Sequence, residues 1–317
     1  AVGRLVALGI LTGRPHGTFA PDETITRAEF AAVVVRMLGY DSAAAAAKGQ
    51  TKFSDVSADY WASGYVNLAS SLGIINGRPD GTFGATDPVR YEEAITMIVR
   101  ALQYEPKAKT LGGYPTGYLA IASQEGIDDG VSGTAGMYAP RGLVAQLVDN
   151  SLEVDMMDQT GYGTDTTFEV VKGMTLLNDF LKLDKYEGVI ESVDTDDYEL
   201  KVHYADDMDL DGEDGVDKKA GKTETLSVYD GLSIAGLKDS YVTIWVKSDV
   251  VYAIELESET YLGYIEAVEG ESKGSDVPDL STLDPNASDG SDDYEITVAG
   301  VDIDITHETE TVNDSDW

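Results

Sequence analysis

The chain of 317 residues contains no cysteine, which excludes disulfide bonds, thiolate nucleophiles and cysteine-ligated zinc. Its three histidines, His16, His203 and His307, are far apart in the sequence, so no zinc site or His-based catalytic triad is visible. No apolar run approaches the roughly 18 residues that span a bilayer, so we expect no membrane insertion. Phosphate-binding loops, nucleophile elbows and dinucleotide fingerprints are also missing.

Basic residues are scarce. The chain has 22 Lys and Arg against 58 Asp and Glu, a formal net charge of −36. Binding to phosphates requires a basic face, so this balance argues against nucleic acid and against anionic membrane surfaces as partners. Divalent cations are the expected counter-charge.

The charge is unevenly distributed along the chain. Residues 1–152 contain 15 acidic and 12 basic side chains, whereas residues 153–317 contain 43 and 10. All eight arginines lie before residue 142. Two interpretations stay open: two modules of different ancestry, or a first half that uses the arginine fork to bind an anionic ligand.

The first half is an internal repeat. The segment Leu8–Phe19 (LGILTGRPHGTF) returns as Leu72–Phe83 (LGIINGRPDGTF) at an offset of 64 residues. A weaker third copy relates Gly64–Ile74 to Gly117–Ile127 at an offset of 53. This alignment places Arg27, Arg90 and Arg141 at one repeated position.

Each repeat predicts a helix, a turn-rich loop and a second helix. Thr26 and Glu29 have the spacing of a capping box, and an apolar stripe follows them. In the second repeat, Asp87 and Pro88 are expected to serve as the N-cap and first-turn proline. Two helices of this length cannot bury their apolar stripes alone. We therefore expect the second helices of the repeats to pack together in one bundle.

These motifs resemble the S-layer homology (SLH) domain. The residues that carry the resemblance are FSDV at 53–56, WA at 61–62, LGI at 72–74, GRPDGTF at 77–83 and ITRAEF at 25–30. Membership implies a three-unit, pseudo-threefold bundle over residues 1–152, with repeats at 1–41, 53–103 and 114–152. It also implies binding of an anionic, often pyruvylated, secondary cell-wall polysaccharide in grooves between repeats.

Carried over residue by residue, the resemblance implies carbohydrate-binding side chains at six positions. An arginine in the first turn of a helix suits a pyruvyl carboxylate, because the helix dipole and free backbone amides add to the fork. Alternatives remain for three of the six: Arg27 as a solvated residue at the helix start, Glu29 as a pure capping residue, and Trp61 as a core residue. The candidates are Arg27, Glu29, Asp55, Trp61, Arg90 and Arg141.

Departures from the family pattern predict unequal sites. The first repeat is expected to lack its first helix, because Leu8 lies so close to the start of the sequence. Leu143 replaces the capping carboxylate in the third repeat, which makes that repeat the weakest candidate.

The second half predicts small antiparallel all-β domains, so the fold class is α+β and multidomain. Residues 153–185 are expected to form a connector with a short apolar helix at 176–183. Five alternating segments from Tyr186 to Leu256 fit a small barrel or sandwich over residues 186–260. Residues 186–193 return as 261–268 at an offset of 75, so a second, apparently incomplete, β domain is expected over residues 261–317.

One motif in the second half points to a metal. Asp207, Asp209 and Asp211 alternate before Gly212 and can converge on one hard cation such as Ca²⁺. The motif is not an EF-hand, because Lys218 stands where that loop carries a bidentate Glu. A plain solvated acidic loop is the alternative.

Together these features predict a non-enzymatic, extracellular protein of the cell wall. It would be anchored through its repeats and would self-assemble into a surface layer or filament through its acidic β domains. The alternative is a wall-anchored hydrolase whose catalytic domain lies outside this chain.

Overall fold

The computed structural model describes residues 1–13, 18–161, 167–205, 219–261, 265–270, 294–298 and 301–305. The chain divides into two compact units. The first consists of residues 1–185 with 229–232 and 245–253, and the second of residues 186–228, 233–244 and 254–317.

The first unit is mainly helical. Each repeat contributes one longer helix: α2 (Arg27–Met37), α5 (Tyr91–Ala101) and α8 (Arg141–Ser151). Of the three, α2 begins at its predicted capping box. The other helices are α1 (Val2–Ala7), α3 (Asp41–Ala46), α4 (Ser63–Ser71), α6 (Glu105–Thr110) and α7 (Thr116–Gln124).

Burial of the apolar stripes explains the long helices. Phe30, Val34 and Met37 of α2 are fully buried, as are Ile95 and Ile98 of α5. They belong to one continuous hydrophobic core, as the stripe pattern predicts.

Two details differ from the sequence-based expectation. Residues Val2–Ala7 form a short helix in the first repeat, where none was expected. In addition, α3 and α6 link the repeats and pack closely on the following helices. A Cβ atom built on Gly64 would lie 1.9 Å from the carbonyl oxygen of Ala44, and one on Gly117 would lie 1.9 Å from that of Ala108.

Residues 153–183 pack against the ends of the three long helices. They form β1 (Met157–Gln159), β2 (Phe168–Val170) and a five-residue π-helix (Leu176–Phe180) at the place of the predicted apolar helix. The Met157 amide donates to the carbonyl of Leu102 after α5, and the Leu177 amide donates to that of Leu152 after α8. Phe180 packs edge-on against Tyr40 after α2. This segment therefore covers helix ends whose carbonyls lack intrahelical partners.

The predicted strands of the second half are confirmed. The first five are β3 (Asp184–Asp194), β4 (Glu199–Tyr204), β5 (Thr223–Val228), β6 (Ser240–Lys247) and β7 (Val250–Tyr261). They close into a barrel in the order β3-β4-β5-β7-β6. Side chains alternate between buried and exposed along β3 and β4, as a barrel wall requires. Ile190, Leu200, Val202 and Leu226 are buried.

A three-stranded antiparallel sheet of order β10-β9-β8 follows, formed by β8 (Ile265–Gly270), β9 (Tyr294–Val298) and β10 (Val301–Ile305). The chain is therefore α+β, with helices first and antiparallel sheets after them. The domain boundaries at residues 152, 185 and 260 stay predictions.

Candidate functional site

The segments before the three long helices hydrogen-bond to one another in a closed cycle. The amide of Val89 donates to the carbonyl of Ile25 at 2.9 Å, that of Ala139 to Val89 at 2.9 Å, and that of Ile25 to Ala139 at 3.5 Å. Short β-bridges join the same segments. The cycle holds the N-terminal ends of α2, α5 and α8 beside one another, which is where the predicted arginines lie.

Arg27 links the first repeat to the second. Its Nε donates to the carbonyl of Phe83 at 2.9 Å, and its guanidinium lies 5.0 Å from the centre of the Phe83 ring. Nη1 forms an ion pair of 2.5 Å with Glu93 of α5. The residue is only 8% exposed, so this cation is held in place by the neighbouring repeat.

Arg141 links the third repeat to the first in the same manner. Its Nε donates to the carbonyl of Phe19 at 2.9 Å, its Nη2 donates to that of Thr12 at 3.1 Å, and its guanidinium lies 4.9 Å from the centre of the Phe19 ring. Like Arg27, it is buried.

Arg90 does not occupy the equivalent position, and the predicted alignment is wrong here by one residue. Arg90 is the N-cap of α5, as Thr26 is of α2, so the position of Arg27 falls to Tyr91. The Arg90 guanidinium instead donates to the carbonyl of Gly136 at 2.6 Å and lies 5.0 Å from the centre of the Tyr138 ring. The expectation that Asp87 and Pro88 begin this helix is also wrong, since the helix begins three residues later.

Glu29 completes the predicted capping box. Its Oε2 accepts from the Thr26 amide at 2.8 Å, and the Thr26 hydroxyl accepts from the Glu29 amide at 3.2 Å. These bonds satisfy two amides that the helix start leaves without intrahelical partners.

The Asp55 carboxylate accepts hydrogen bonds from three successive backbone amides. It accepts from the amides of Phe83 and Gly84, both at 2.7 Å, and from that of Ala85 at 3.3 Å. Burial raises the pKa of Asp55, but the three backbone N–H groups outweigh it and hold the pKa below its ordinary value. The carboxylate therefore contacts the segment on which Arg27 rests.

A cavity of about 210 Å³ opens beside Arg27. Its wall combines two arginines, a carboxylate, an amide and an aromatic ring with apolar side chains, which is a binding-site composition. The lining residues are Arg27, Ile74, Ile75, Asn76, Gly77, Glu93, Thr96, Met97, Arg100 and Tyr114. We refer to this as the Arg27 cavity.

An exposed aromatic residue marks the same place in two repeats. Tyr114, in the wall of the Arg27 cavity, is 56% exposed, and Trp61, which precedes it by the repeat offset of 53, is 49% exposed. The alternative prediction that Trp61 belongs to the core is therefore wrong. Its ring lies between Tyr60 and Tyr65, with centroid distances of 5.9 and 6.2 Å.

The polar and aromatic residues of the Arg27 cavity have counterparts in the repeat that supplies the ring and carbonyl beneath Arg141, and in the repeat after it. In the repeat register, Thr12 corresponds to Asn76, Glu29 to Glu93, Arg36 to Arg100 and Trp61 to Tyr114. We call this set the Arg141 group; its members are Thr12, Glu29, Arg36, Trp61 and Arg141.

Arg36 and Arg100 each form a triad with one carboxylate and one tyrosine, and the two triads occupy corresponding positions in the repeats. Arg36 donates to Asp41 at 2.9 Å and to the hydroxyl of Tyr65 at 3.0 Å. The second triad consists of Arg100, Glu105 and Tyr118, where Arg100 donates to Glu105 at 3.0 Å and to the Tyr118 hydroxyl at 3.3 Å.

The triads shift the pKa values of their carboxyl groups. The hydrogen bonds from Tyr65 and Arg36 lower the pKa of Asp41. Burial raises the pKa of Glu105, but the hydrogen bond from Tyr118 and the charge of Arg100 outweigh it and lower the pKa. Sequence reasoning missed both triads and the cavity residues Asn76, Arg100 and Tyr114, although the offsets of 64 and 53 relate Arg36 to Arg100 and Tyr65 to Tyr118.

The junction of the second and third repeats has no counterpart of Arg27 or Arg100, although Arg90 lies over Tyr138 there. Tyr91 stands in place of Arg27, and Asn150 stands in place of Arg100. Burial and the charge of Asp129 raise the pKa of Asp128 at this junction. A junction that has carboxylates and no counterpart of Arg27 or Arg100 is less suited to an anionic ligand than the other two junctions.

The predicted calcium ligands Asp207, Asp209 and Asp211 lie outside the described residues. Within the described part of the chain, no cluster of three or more His, Asp or Glu side chains is arranged to hold a metal ion. None of the helices in that part has the length and apolar composition to cross a membrane.

Comparison with known proteins identifies a family and several relatives of this chain. Residues 1–31 and 52–95 match the model of the S-layer homology domain. The chain is 36% identical over 260 residues to the Middle cell wall protein of Brevibacillus brevis, a match that covers 78% of this chain and 24% of that protein.

Two further relatives have similar names. The chain is 34% identical over 260 residues to the Surface layer protein of Brevibacillus choshinensis, covering 78% of this chain and 23% of that protein. It is 37% identical over 158 residues to the Cell surface protein of Thermoanaerobacter kivui, covering 50% and 20%. The chain spans about a quarter or less of the length of these relatives.

Proposed function

Because the chain carries S-layer homology domains and is an extracellular protein of the cell wall, we propose that its first unit anchors it to an anionic secondary wall polysaccharide. The observation that carries this proposal is the Arg27 cavity, where two arginines and an exposed tyrosine face one small space.

The chemistry of the cavity fits a charged sugar residue. Arg27 and Arg100 supply guanidinium groups for a carboxylate such as that of a pyruvyl ketal, and Asn76 supplies an amide for hydroxyl or acetamido groups. Tyr114 offers a ring face at the rim. A volume of about 210 Å³ is below the ~300–1,000 Å³ of pockets for drug-sized ligands, so a single residue of a polymer is the expected occupant.

The Arg141 group forms a second site of the same kind. We place the three repeats around a pseudo-threefold axis through the hydrogen-bonded cycle of Ile25, Val89 and Ala139. In that arrangement two of the three junctions carry a buried arginine as the first residue of the long helix, resting on an aromatic ring. At the third junction Tyr91 takes that position, and Arg90, one residue earlier, lies over Tyr138 instead. The anchor therefore has two sites that bind anionic sugar.

The acidic second half serves self-assembly in this proposal. Residues 153–317 carry 43 acidic against 10 basic side chains, which repels close neighbours unless cations intervene. Calcium at Asp207, Asp209 and Asp211 would offset that repulsion between copies in a surface layer or filament. Chelation is then expected to disperse the assemblies; assemblies whose size is unchanged by chelation would contradict this part.

The proposed protein is non-enzymatic. The alternative, a wall-anchored hydrolase with its catalytic domain in another part of a longer protein, is distinguished by the sequence of the longer gene. Further β repeats support the layer, and a domain with a catalytic constellation supports the enzyme.

The anchoring proposal is tested by titrating the chain with the acid-extracted polysaccharide of purified sacculi from the source bacterium. Binding is expected for that polymer and not for the extracted peptidoglycan. Arg27→Ala is expected to weaken binding at its cavity, whereas Arg78→Ala, at an exposed arginine paired with Asp87, serves as the control. Equal binding by the wild type, Arg27→Ala and Arg78→Ala would refute the proposal.

A further inference from the structure

Asp55 is connected to the Arg27 cavity through backbone hydrogen bonds. Its two carboxylate oxygens accept from three successive amides, those of Phe83, Gly84 and Ala85. Hydrogen bonds from several backbone amides to one carboxylate fix the conformation of the segment that supplies them. Asp55 itself is not among the residues that line the cavity.

The segment that Asp55 holds is the one on which Arg27 rests. The carbonyl of Phe83 accepts from Arg27 Nε at 2.9 Å, and the Phe83 ring lies beneath the guanidinium. The carbonyl of Ala85 accepts from the amide of Ala28 at 3.1 Å, so the start of α2 is tied to the same segment. One carboxylate thus fixes both the side chain and the backbone at Arg27.

We infer that Asp55 is a positioning residue for Arg27 and does not contact the sugar. This changes the role that the sequence assigns to Asp55, and it rests on the proposed function of the Arg27 cavity. The effect is specific to one site, because Arg141 rests on Phe19 and Thr12, which belong to a different loop.

A double-mutant cycle on the full chain tests this inference. The variants are Asp55→Asn, Asp55→Ala, Arg27→Ala and the double variant Asp55→Ala with Arg27→Ala. Asp59→Asn is the matched control, because Asp59 is an exposed aspartate four residues along the same loop. The probe is the acid-extracted wall polysaccharide, and the readout is the shift of the Asn76 side-chain amide signal in NMR titrations, which reports on this cavity.

We expect Asp55→Ala to weaken binding at Asn76 about tenfold, the equivalent of one lost charge-assisted hydrogen bond. Asp55→Asn, which keeps one acceptor oxygen, should have a smaller effect. The double variant should bind no more weakly than Arg27→Ala alone, because Asp55 acts only through Arg27.

The outcomes separate the two proposals. If Arg27→Ala leaves the titration unchanged, the proposed function of the cavity fails. If Arg27→Ala weakens binding but Asp55→Ala binds as the wild type does, only the positioning role of Asp55 is wrong. Additive losses in the double variant would also overturn it, since they would indicate direct contact or general destabilisation.

Discussion

The hydroxyl group of Tyr65 lies 2.5 Å from Oδ1 of Asp41. Tyr118 and Glu105 repeat this relationship at 2.7 Å one repeat later, with Arg100 in place of Arg36. The two triads join the second helix of one repeat to the first helix of the next.

The triads predict a pH-dependent contribution to stability. The pKa values of Asp41 and Glu105 are lowered in the folded state, so the stabilisation is present above the ordinary carboxyl pKa of about 4 and is lost as pH falls through the folded-state values. Tyr65→Phe and Tyr118→Phe should each raise the pKa of the adjacent carboxyl group, measured by NMR titration.

Tyr138→Phe, at an exposed tyrosine, is the control for these two variants. Urea unfolding at several pH values should show the stability difference between the wild type and the variants shrinking as pH falls through the folded-state pKa values of Asp41 and Glu105. A constant difference at all pH values would contradict the assignment.

Close helix contacts predict the effect of two glycine substitutions. Gly64→Ala and Gly117→Ala would push a Cβ atom into the carbonyl groups of Ala44 and Ala108. Because backbone must move to relieve the overlap, each variant should lose about 1–3 kcal/mol of unfolding free energy. Gly3→Ala in α1, where a Cβ atom would meet nothing within 4 Å, should be neutral or slightly stabilising. Equal stabilities of the three variants would contradict the predicted contacts.

The segment 153–183 predicts that anchor stability depends on residues beyond the repeats. Leu177 of the π-helix is 1% exposed and belongs to the core of the first unit. Leu177→Ala should therefore lower the unfolding free energy by about 2–4 kcal/mol. Val170→Ala, at a position that is 46% exposed in the same segment, should change it by less than about 0.5 kcal/mol. The unfolding free energies are measured by thermal or urea unfolding. If the segment were a loose linker, both variants would have the unfolding free energy of the wild type.

The exposed aromatic residues predict a loss of binding without a loss of stability. Trp61→Ala and Tyr114→Ala should each weaken wall binding by about 1 kcal/mol and leave the melting temperature within a few degrees. Leu72→Ala, at an apolar residue that is 45% exposed, is the control for exposed hydrophobic area. If all three variants bind as the wild type does, the aromatic rings are not part of the sugar sites.

Local periodicity accounts for what the sequence predicted well. Helices α2, α5 and α8 were predictable because their apolar residues recur with the helical period and are buried in one core. The strands of the barrel were predictable from the alternation of apolar and polar residues.

The errors have physical causes. The sequence Val89-Arg90-Tyr91-Glu92 is similar to Thr26-Arg27-Ala28-Glu29, and matching these motifs paired Arg90 with Arg27. The repeat offset of 64 residues instead pairs Tyr91 with Arg27. Trp61 has helical spacing to Tyr65, but α4 begins only at Ser63, and the ring is left on the surface.

Other features depend on tertiary contacts that a pattern does not contain. The packing of residues 153–183 follows from where three distant helices end, and that segment has no strong periodicity of its own. The Arg27 cavity combines residues from all three repeats. Its residue Tyr114 was predictable only from the repeat offset of 53 that relates it to Trp61.

The central claim is that the first unit anchors the protein to an anionic wall polysaccharide. Co-sedimentation of the chain with purified sacculi of the source bacterium, before and after acid extraction of the secondary polysaccharide, tests it most directly. The account predicts that the protein pellets with intact sacculi and stays in the supernatant after extraction. Equal pelleting with both preparations, or with neither, would contradict it.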